Sequence, residues 1–158
     1  MALTKLNYTG QGTVPIASIP TITGAKMPAG SVIQTVTTVE SNSFSTTSST
    51  YENIISKAIT PSSTSSKILI MAVIHGSAQV SNLSLRLAIH RDGTALAGQF
   101  NNYAASAGFI AQAMPCIELD SPSTTSEVTY SIRGKVGAGS GTVSSGAVCT
   151  LTLQEIAG

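Results

Sequence analysis

The densest group of chemically active side chains is His90, Arg91 and Asp92, which follow one another directly. His90 and Asp92 are two positions apart, so a strand would place both on one face, where imidazole and carboxylate could hold a metal or move a proton. Either chemistry needs a further partner, and the neighbouring sequence offers none. We therefore expect a strand end that runs into a turn, where Asp suits the turn geometry. We predict no catalytic residue, no metal site and no cofactor.

A glycine-rich run, Gly137–Gly141, is the next candidate because such runs can cradle phosphate groups. It lacks the Gly-Lys-Ser/Thr ending of phosphate-binding loops, and no helical pattern follows to direct its N-terminus at a phosphate. We interpret this run as a loop between two strands.

Two cysteines, Cys116 and Cys149, lie in apolar stretches typical of strands. Two are too few for a disulfide framework, and no spacing typical of a Cys/His metal site surrounds them. We expect buried thiols that pack as small apolar groups. A single bridge between them stays open if their strands are neighbours.

The composition excludes several classes of protein. Charged residues are 9% of the 158-residue chain, and eight basic against seven acidic side chains leave no positive surface for nucleic acid. The longest apolar run, Ile68–Ile74, is too short to span a bilayer as a helix, and no signal peptide is visible. Ser and Thr together supply 43 residues. Such a weakly charged, hydroxyl-rich surface suits either a secreted β domain or a subunit packed in an assembly.

The first 30 residues differ from the rest of the chain. Their prolines exclude a helix and weaken any strand, yet apolar residues recur throughout. We expect an extended arm that lies in a groove of another subunit or partner. The alternative is an edge strand folded onto its own domain. The predicted anchors of the arm are Leu3, Leu6, Val14, Pro15, Ile16, Ile19, Pro20, Ile22, Met27 and Pro28.

Residues 31–158 carry the pattern of β-structure. Apolar and polar residues alternate in Asn82–Arg91 and again in Glu127–Val136. Asp92-Gly93, directly after the first of these segments, is a strong signal for a tight hairpin turn, with Thr94–Phe100 as the return strand. Lys67–His75 is apolar on both faces, which predicts a strand buried on both sides.

About eight strands, spaced every ten or so residues, emerge from this pattern. They predict an all-β fold: an antiparallel β-sandwich of jelly-roll or Greek-key type, formed by residues 31–158 and preceded by the extended N-terminal arm 1–30.

Five pieces of the chain match a known group of proteins: Gly10–Pro15, Ile19-Pro20, Gly24–Gln34, Thr46–Leu69 and Leu85–Leu96. These pieces resemble virion proteins from tailed bacteriophages of aquatic bacteria. The resemblance implies β-rich domains, often trimeric, on the outside of a virion, and it brings no catalytic residues with it.

Within that group, a small sandwich with an arm fits a trimeric head decoration (cement) protein that binds and stabilises the capsid exterior. Its expected partners are two further copies and the major capsid protein, and its expected location is the virion surface after assembly in the host cytoplasm.

The alternative is a short trimeric tail fibre or receptor-binding protein, with a tail protein and a host-surface glycan as partners. Its candidate contact residues are Asp92, Gly93, Tyr103 and Gly141. A carbohydrate-binding module is the third hypothesis. Neither nucleic acid nor membrane is an expected partner.

Overall fold

The structure is a computed structural model of the chain. It describes residues 27–78, 84–96, 100–103, 110–137, 143–145 and 148–158. Within these ranges all the regular structure is β, and no helix is long and apolar enough to cross a membrane. The strands are β1 Val32–Glu40, β2 Phe44–Thr46, β3 Glu52–Ile59, β4 Lys67–Ala78, β5 Ser84–Arg91, β6 Thr94–Ala95, β7 Phe100–Tyr103, β8 Ile110–Asp120, β9 Val128–Val136, β10 Val143–Ser145 and β11 Cys149–Ile156.

The first sheet, sheet A, is built around β4. One side of β4 pairs with β8 along its length, and the other side pairs first with β11 and then with β10. β1 and β2 pair in turn with β11 and β10. The described strands of sheet A therefore form four antiparallel rows in the order β1/β2, β11/β10, β4 and β8.

The second sheet, sheet B, has the row order β3, β9, β5 and β6/β7. When the eight rows of both sheets are numbered along the chain, the first pairs with the eighth, the second with the seventh, the third with the sixth and the fourth with the fifth. This nested pairing is one long antiparallel ribbon wrapped into two sheets, which is the jelly roll. The predicted all-β sandwich of about eight strands is confirmed.

Alternating side chains of the two sheets meet to form the core. Leu85, Leu87 and Ile89 of β5 are fully buried, as are Leu151 and Leu153 of β11. Burial of each such side chain contributes about 1.5–3 kcal/mol. The inward face predicted from the alternation in Asn82–Arg91 is therefore correct.

The prediction for Lys67–His75 is correct for one face and wrong for the other. Ile68, Ile70 and Ile74 are completely buried in the core, whereas Val73 is 42% exposed and His75 is exposed. The reason is that the sandwich has two layers, so that sheet A has an outer face. No described residue of the chain forms a third layer over it.

Two segments that carry no strand pattern in the sequence contain short strands. β2 lies in the Ser/Thr-rich segment 42–50, and β10 lies in the Gly-rich segment 137–146. The two strands pair with each other and prolong the rows of β1 and β11 beyond short interruptions. Neither segment has the apolar alternation that reveals a strand, so only the tertiary pairing accounts for them.

Candidate functional site

The His90-Arg91-Asp92 group lies at the hairpin between β5 and β6. Asp92 and Gly93 both have positive φ, 47° and 84°, as the predicted turn requires. The Asp92 side chain accepts a hydrogen bond from the Thr129 amide at 2.9 Å. His90 Nδ1 lies 3.0 Å from the Gly93 carbonyl oxygen, and because a carbonyl only accepts, Nδ1 is the donor. These contacts hold the turn in place, and the described residues contain no group of three or more His, Cys, Asp or Glu that could hold a metal ion.

Arg91 points into the sandwich and meets Asp120 of β8. Its Nη1 is 2.7 Å from Asp120 Oδ2, and the hydroxyl of Tyr130 donates to the same oxygen at 2.7 Å. Burial raises the pKa of Tyr130, and the hydrogen bond to Asp120 raises it further. For Arg91, burial would lower the pKa, but the hydrogen bond and charge of Asp120, together with Tyr130, outweigh burial and raise it. The group binds the edge of sheet A to the middle of sheet B, which is a structural task.

A buried carboxylate, Glu155 of β11, is surrounded by hydrogen-bond donors. Its side chain is completely buried and accepts bonds of 2.6–2.7 Å from the Ser62 amide and hydroxyl, the Ser66 hydroxyl and the Gln34 amide. Burial would raise the pKa of Glu155, but these bonds more than offset it and hold the pKa below its usual value. The four donors occupy the carboxylate oxygens, so Glu155 fixes the loop before β4 rather than offering a reactive group.

Two aromatic residues whose side chains the structure describes, Tyr51 and Tyr130, are both occupied by contacts within the chain. Tyr130 is completely buried. The ring of Tyr51 lies beneath the Lys135 ammonium, 4.4 Å from Nζ to the ring centroid, and packs edge-on against His90. Burial raises the pKa of the Tyr51 hydroxyl, partly offset by the charge of Arg86. Neither ring presents the open face that carbohydrate stacking requires.

The outer face of sheet A over β4 and β8 differs from these sites because its apolar side chains are exposed. The strand register brings outward side chains together in directly opposed pairs: Leu69 with Leu119, Met71 with Ile117, and Val73 with Pro115. Ile117 is 59% exposed and Leu119 51% exposed. Large apolar side chains on adjacent rows make a contiguous apolar surface, of the kind that marks an interaction site.

A shallow groove of about 230 Å³ runs along this face. Met71 and Val73 form its floor, Pro115 and Ile117 one wall, and Thr150 and Thr152 of β11 the other. No titratable side chain among the described residues lines it. The groove can therefore bind by apolar contact and methyl packing, and it offers no group for acid–base chemistry.

Comparison with known proteins finds likeness only in structure, since no protein-family model and no curated protein matches the chain. A chain of the T=1 particles derived from infectious bursal virus aligns with 79% of this chain at 13% identity and a TM-score of 0.47. The VP2 subviral particle of infectious bursal disease virus aligns with 79% of this chain at 14% identity and a TM-score of 0.45. This chain spans 36% and 38% of those two chains. At such identities no function passes from these chains to this one.

The structure places only some of the predicted contact residues. Asp92 and Gly93 form an exposed turn. Tyr103 is the last residue of β7, and its backbone pairs with Ser84 of β5. The Tyr103 side chain and Gly141 lie outside the described residues.

Of the predicted arm anchors, those from Leu3 to Ile22 also lie outside the described residues. Met27 is half-buried and lines a shallow pocket together with Ile33 and Ala157, and Pro28 is exposed. The arm's role thus stays a prediction.

Sequence reasoning missed the outer face of sheet A. The segment Pro115–Leu119 shows the signal that could have revealed it, because Pro115, Ile117 and Leu119 alternate with Cys116 and Glu118 and so mark a second apolar face. The proline does indicate the strand's position correctly: β8 is an edge row among the described strands of sheet A, and its pairing with β4 is free of bulges.

Proposed function

We propose that the protein is a non-enzymatic structural subunit of a bacteriophage virion, and within that class a trimeric head decoration protein on the capsid exterior. The observation that carries the proposal is the apolar face formed by Met71, Val73, Pro115, Ile117 and Leu119, which no other described part of the chain covers. In a weakly charged jelly roll, electrostatic repulsion between copies is small. Burial of such an apolar face against another surface is therefore favourable.

Assembly is favoured by ordinary linkage. Each Å² of apolar surface removed from water contributes roughly 25 cal/mol, so a face of several large side chains stabilises whatever complex buries it. A protein that binds the assembled shell, and not its free subunits, shifts the equilibrium toward the shell. This is the physical basis of the cement role that the resemblance to phage virion proteins implies.

The competing function is a short tail fibre or receptor-binding protein. The exposed hairpin turn at Asp92 and Gly93 favours it, since turns at the end of a rigid sandwich are suitable places for contact with a receptor. The two functions share the fold and differ in how many copies a particle carries.

The test is the copy number of this chain in purified particles, measured by mass spectrometry against the major capsid protein with isotope-labelled peptides of both. A decoration protein is expected at hundreds of copies, close to one per capsid subunit. A few to a few dozen copies would replace it with the tail protein. Absence of the chain from particles would overturn the virion function altogether.

A further inference from the structure

We propose that residues 1–26 of one copy dock on the outer face of sheet A of a second copy. This inference rests on the proposed assembly function and names the occupant of its apolar face. Three observations support it: where the segment joins the sandwich, which side chains it carries, and how long it is.

The segment joins the sandwich at a corner of sheet A. The Gly30 amide donates to the Ala157 carbonyl and the Ala157 amide to the Ser31 carbonyl, each at 2.8 Å. These bonds place the start of β1 beside the end of β11, at the end of the sheet where Lys67 pairs with Ile156. The 26 preceding residues therefore begin at the border of the sheet whose outer face is apolar.

The chemistry of the segment complements that face. It has no acidic residue, and it carries apolar side chains at short intervals, among them Val14, Ile16, Ile19 and Ile22. The face offers the matching apolar rows, and hydroxyls from Thr150 and Thr152 at the groove wall can bond to an extended backbone. Because Pro115 has no amide hydrogen, backbone pairing with the edge strand β8 is limited. The segment is therefore expected to bind to the face of the sheet rather than to its edge.

The length of the segment favours docking on another copy over docking on the same one. At about 3.3 Å per residue, an extended segment of 26 residues reaches roughly 85 Å, whereas β4 with its 12 residues runs only about 40 Å. The face of one copy can seat about half of the segment. The remainder reaches past its own sandwich, which favours exchange of segments between neighbours in a closed ring.

A cross-linking experiment on full-length chains tests this exchange. One preparation carries Ile16→Cys and another carries Ile117→Cys; the two are mixed, allowed to associate and oxidised under mild conditions. We expect a disulfide between the two substituted positions, identified by peptide mass spectrometry, at a yield at least tenfold above that of Ile16→Cys mixed with Ser56→Cys. Ser56 is exposed on β3 of the other sheet, so it is the matched control.

Each outcome decides the question. A disulfide formed only when Ile16→Cys and Ile117→Cys are in the same chain would replace exchange with docking on the segment's own sandwich. Equal yields for Ile117→Cys and Ser56→Cys would overturn the docking site. Either result can occur while the chain is abundant on particles, so a failure here is distinguishable from a failure of the virion function.

Discussion

Tyr130 of sheet B donates its hydroxyl proton to Asp120 of sheet A across a distance of 2.7 Å, and this bond joins the two layers of the sandwich. Hydrogen bonds to a charged group contribute more than neutral ones, about 1.5–3 kcal/mol. We predict that Tyr130→Phe lowers the free energy of unfolding by about 2 kcal/mol, measured by urea titration at pH 7.

Tyr51→Phe is the matched control for that change. The Tyr51 hydroxyl is buried and has no hydrogen-bond partner among the described residues, so its removal relieves an unpaired group. The free energy of unfolding should stay within about 0.5 kcal/mol of the wild type or rise. If both variants lose the same amount, the bond to Asp120 does not join the sheets in solution.

A second prediction concerns Glu155 and pH. The pKa of Glu155 is lower in the folded chain than the value near 4.3 that an unfolded chain would show. Its hydrogen bonds therefore contribute stability above that pH, and the contribution is lost as the pH falls through the folded pKa. Glu155→Gln should cost about 1–3 kcal/mol at pH 7, because an amide nitrogen cannot accept from the donors around it.

The difference between wild type and Glu155→Gln should shrink as the pH falls below about 4, in urea titrations from pH 7 to pH 3. Glu127→Gln is the control. Because Glu127 is exposed, this substitution should change the unfolding free energy by less than about 0.5 kcal/mol. A gap between wild type and Glu155→Gln that stays constant over this range would contradict the assignment.

The contrast between these sites shows what the sequence could predict. A strand that alternates, such as Asn82–Arg91, predicts its buried face because the side-chain period of a strand is two. Glu155 gave no such signal, since its donors Gln34, Ser62 and Ser66 lie 121, 93 and 89 positions away. Only the wrapping of the ribbon brings them together.

The part of the candidate site that lies on β4 was unpredictable for a related reason. In an all-apolar strand such as Lys67–His75, both faces look alike in the sequence. Which one lies outward depends on how many layers the fold has, and that is a property of the whole chain. The outward position of Val73 is therefore visible only in the structure, whereas the outward row of Pro115, Ile117 and Leu119 on β8 carries a pattern in the sequence.

The two cysteines provide a third prediction. Cys116 and Cys149 lie on rows β8 and β11 with β4 between them, so their backbones are about 10 Å apart, beyond the reach of a disulfide. Burial raises the pKa of Cys116 to about 12. We expect a chromogenic thiol reagent to find no fast-reacting thiol in the folded chain at pH 8 and two thiols in guanidinium.

The control is Ser56→Cys, which places a thiol at an exposed position of β3 and should add one fast-reacting group. If fewer than two thiols reacted in the unfolded wild type in the absence of reductant, the cysteines would be bridged. The strand order of sheet A would then be wrong.

The last prediction distinguishes two physical reasons why a position requires glycine: a positive φ and a lack of space for a side chain. Gly93 has φ +84° and open space around it, whereas Gly134 has a Cβ position only 2.8 Å from Ile54 Cδ1. Gly93→Ala should therefore cost about 1–2 kcal/mol from backbone strain alone, and Gly93→Asn should recover much of that loss, because Asn tolerates the left-handed region. At Gly134 the cost should instead increase with side-chain volume, from Ala to Asn, as a core that is too full is forced apart. Urea titration of the four variants decides the matter: if Gly93→Asn were no more stable than Gly93→Ala, the tight turn at the end of β5 would not have the conformation described.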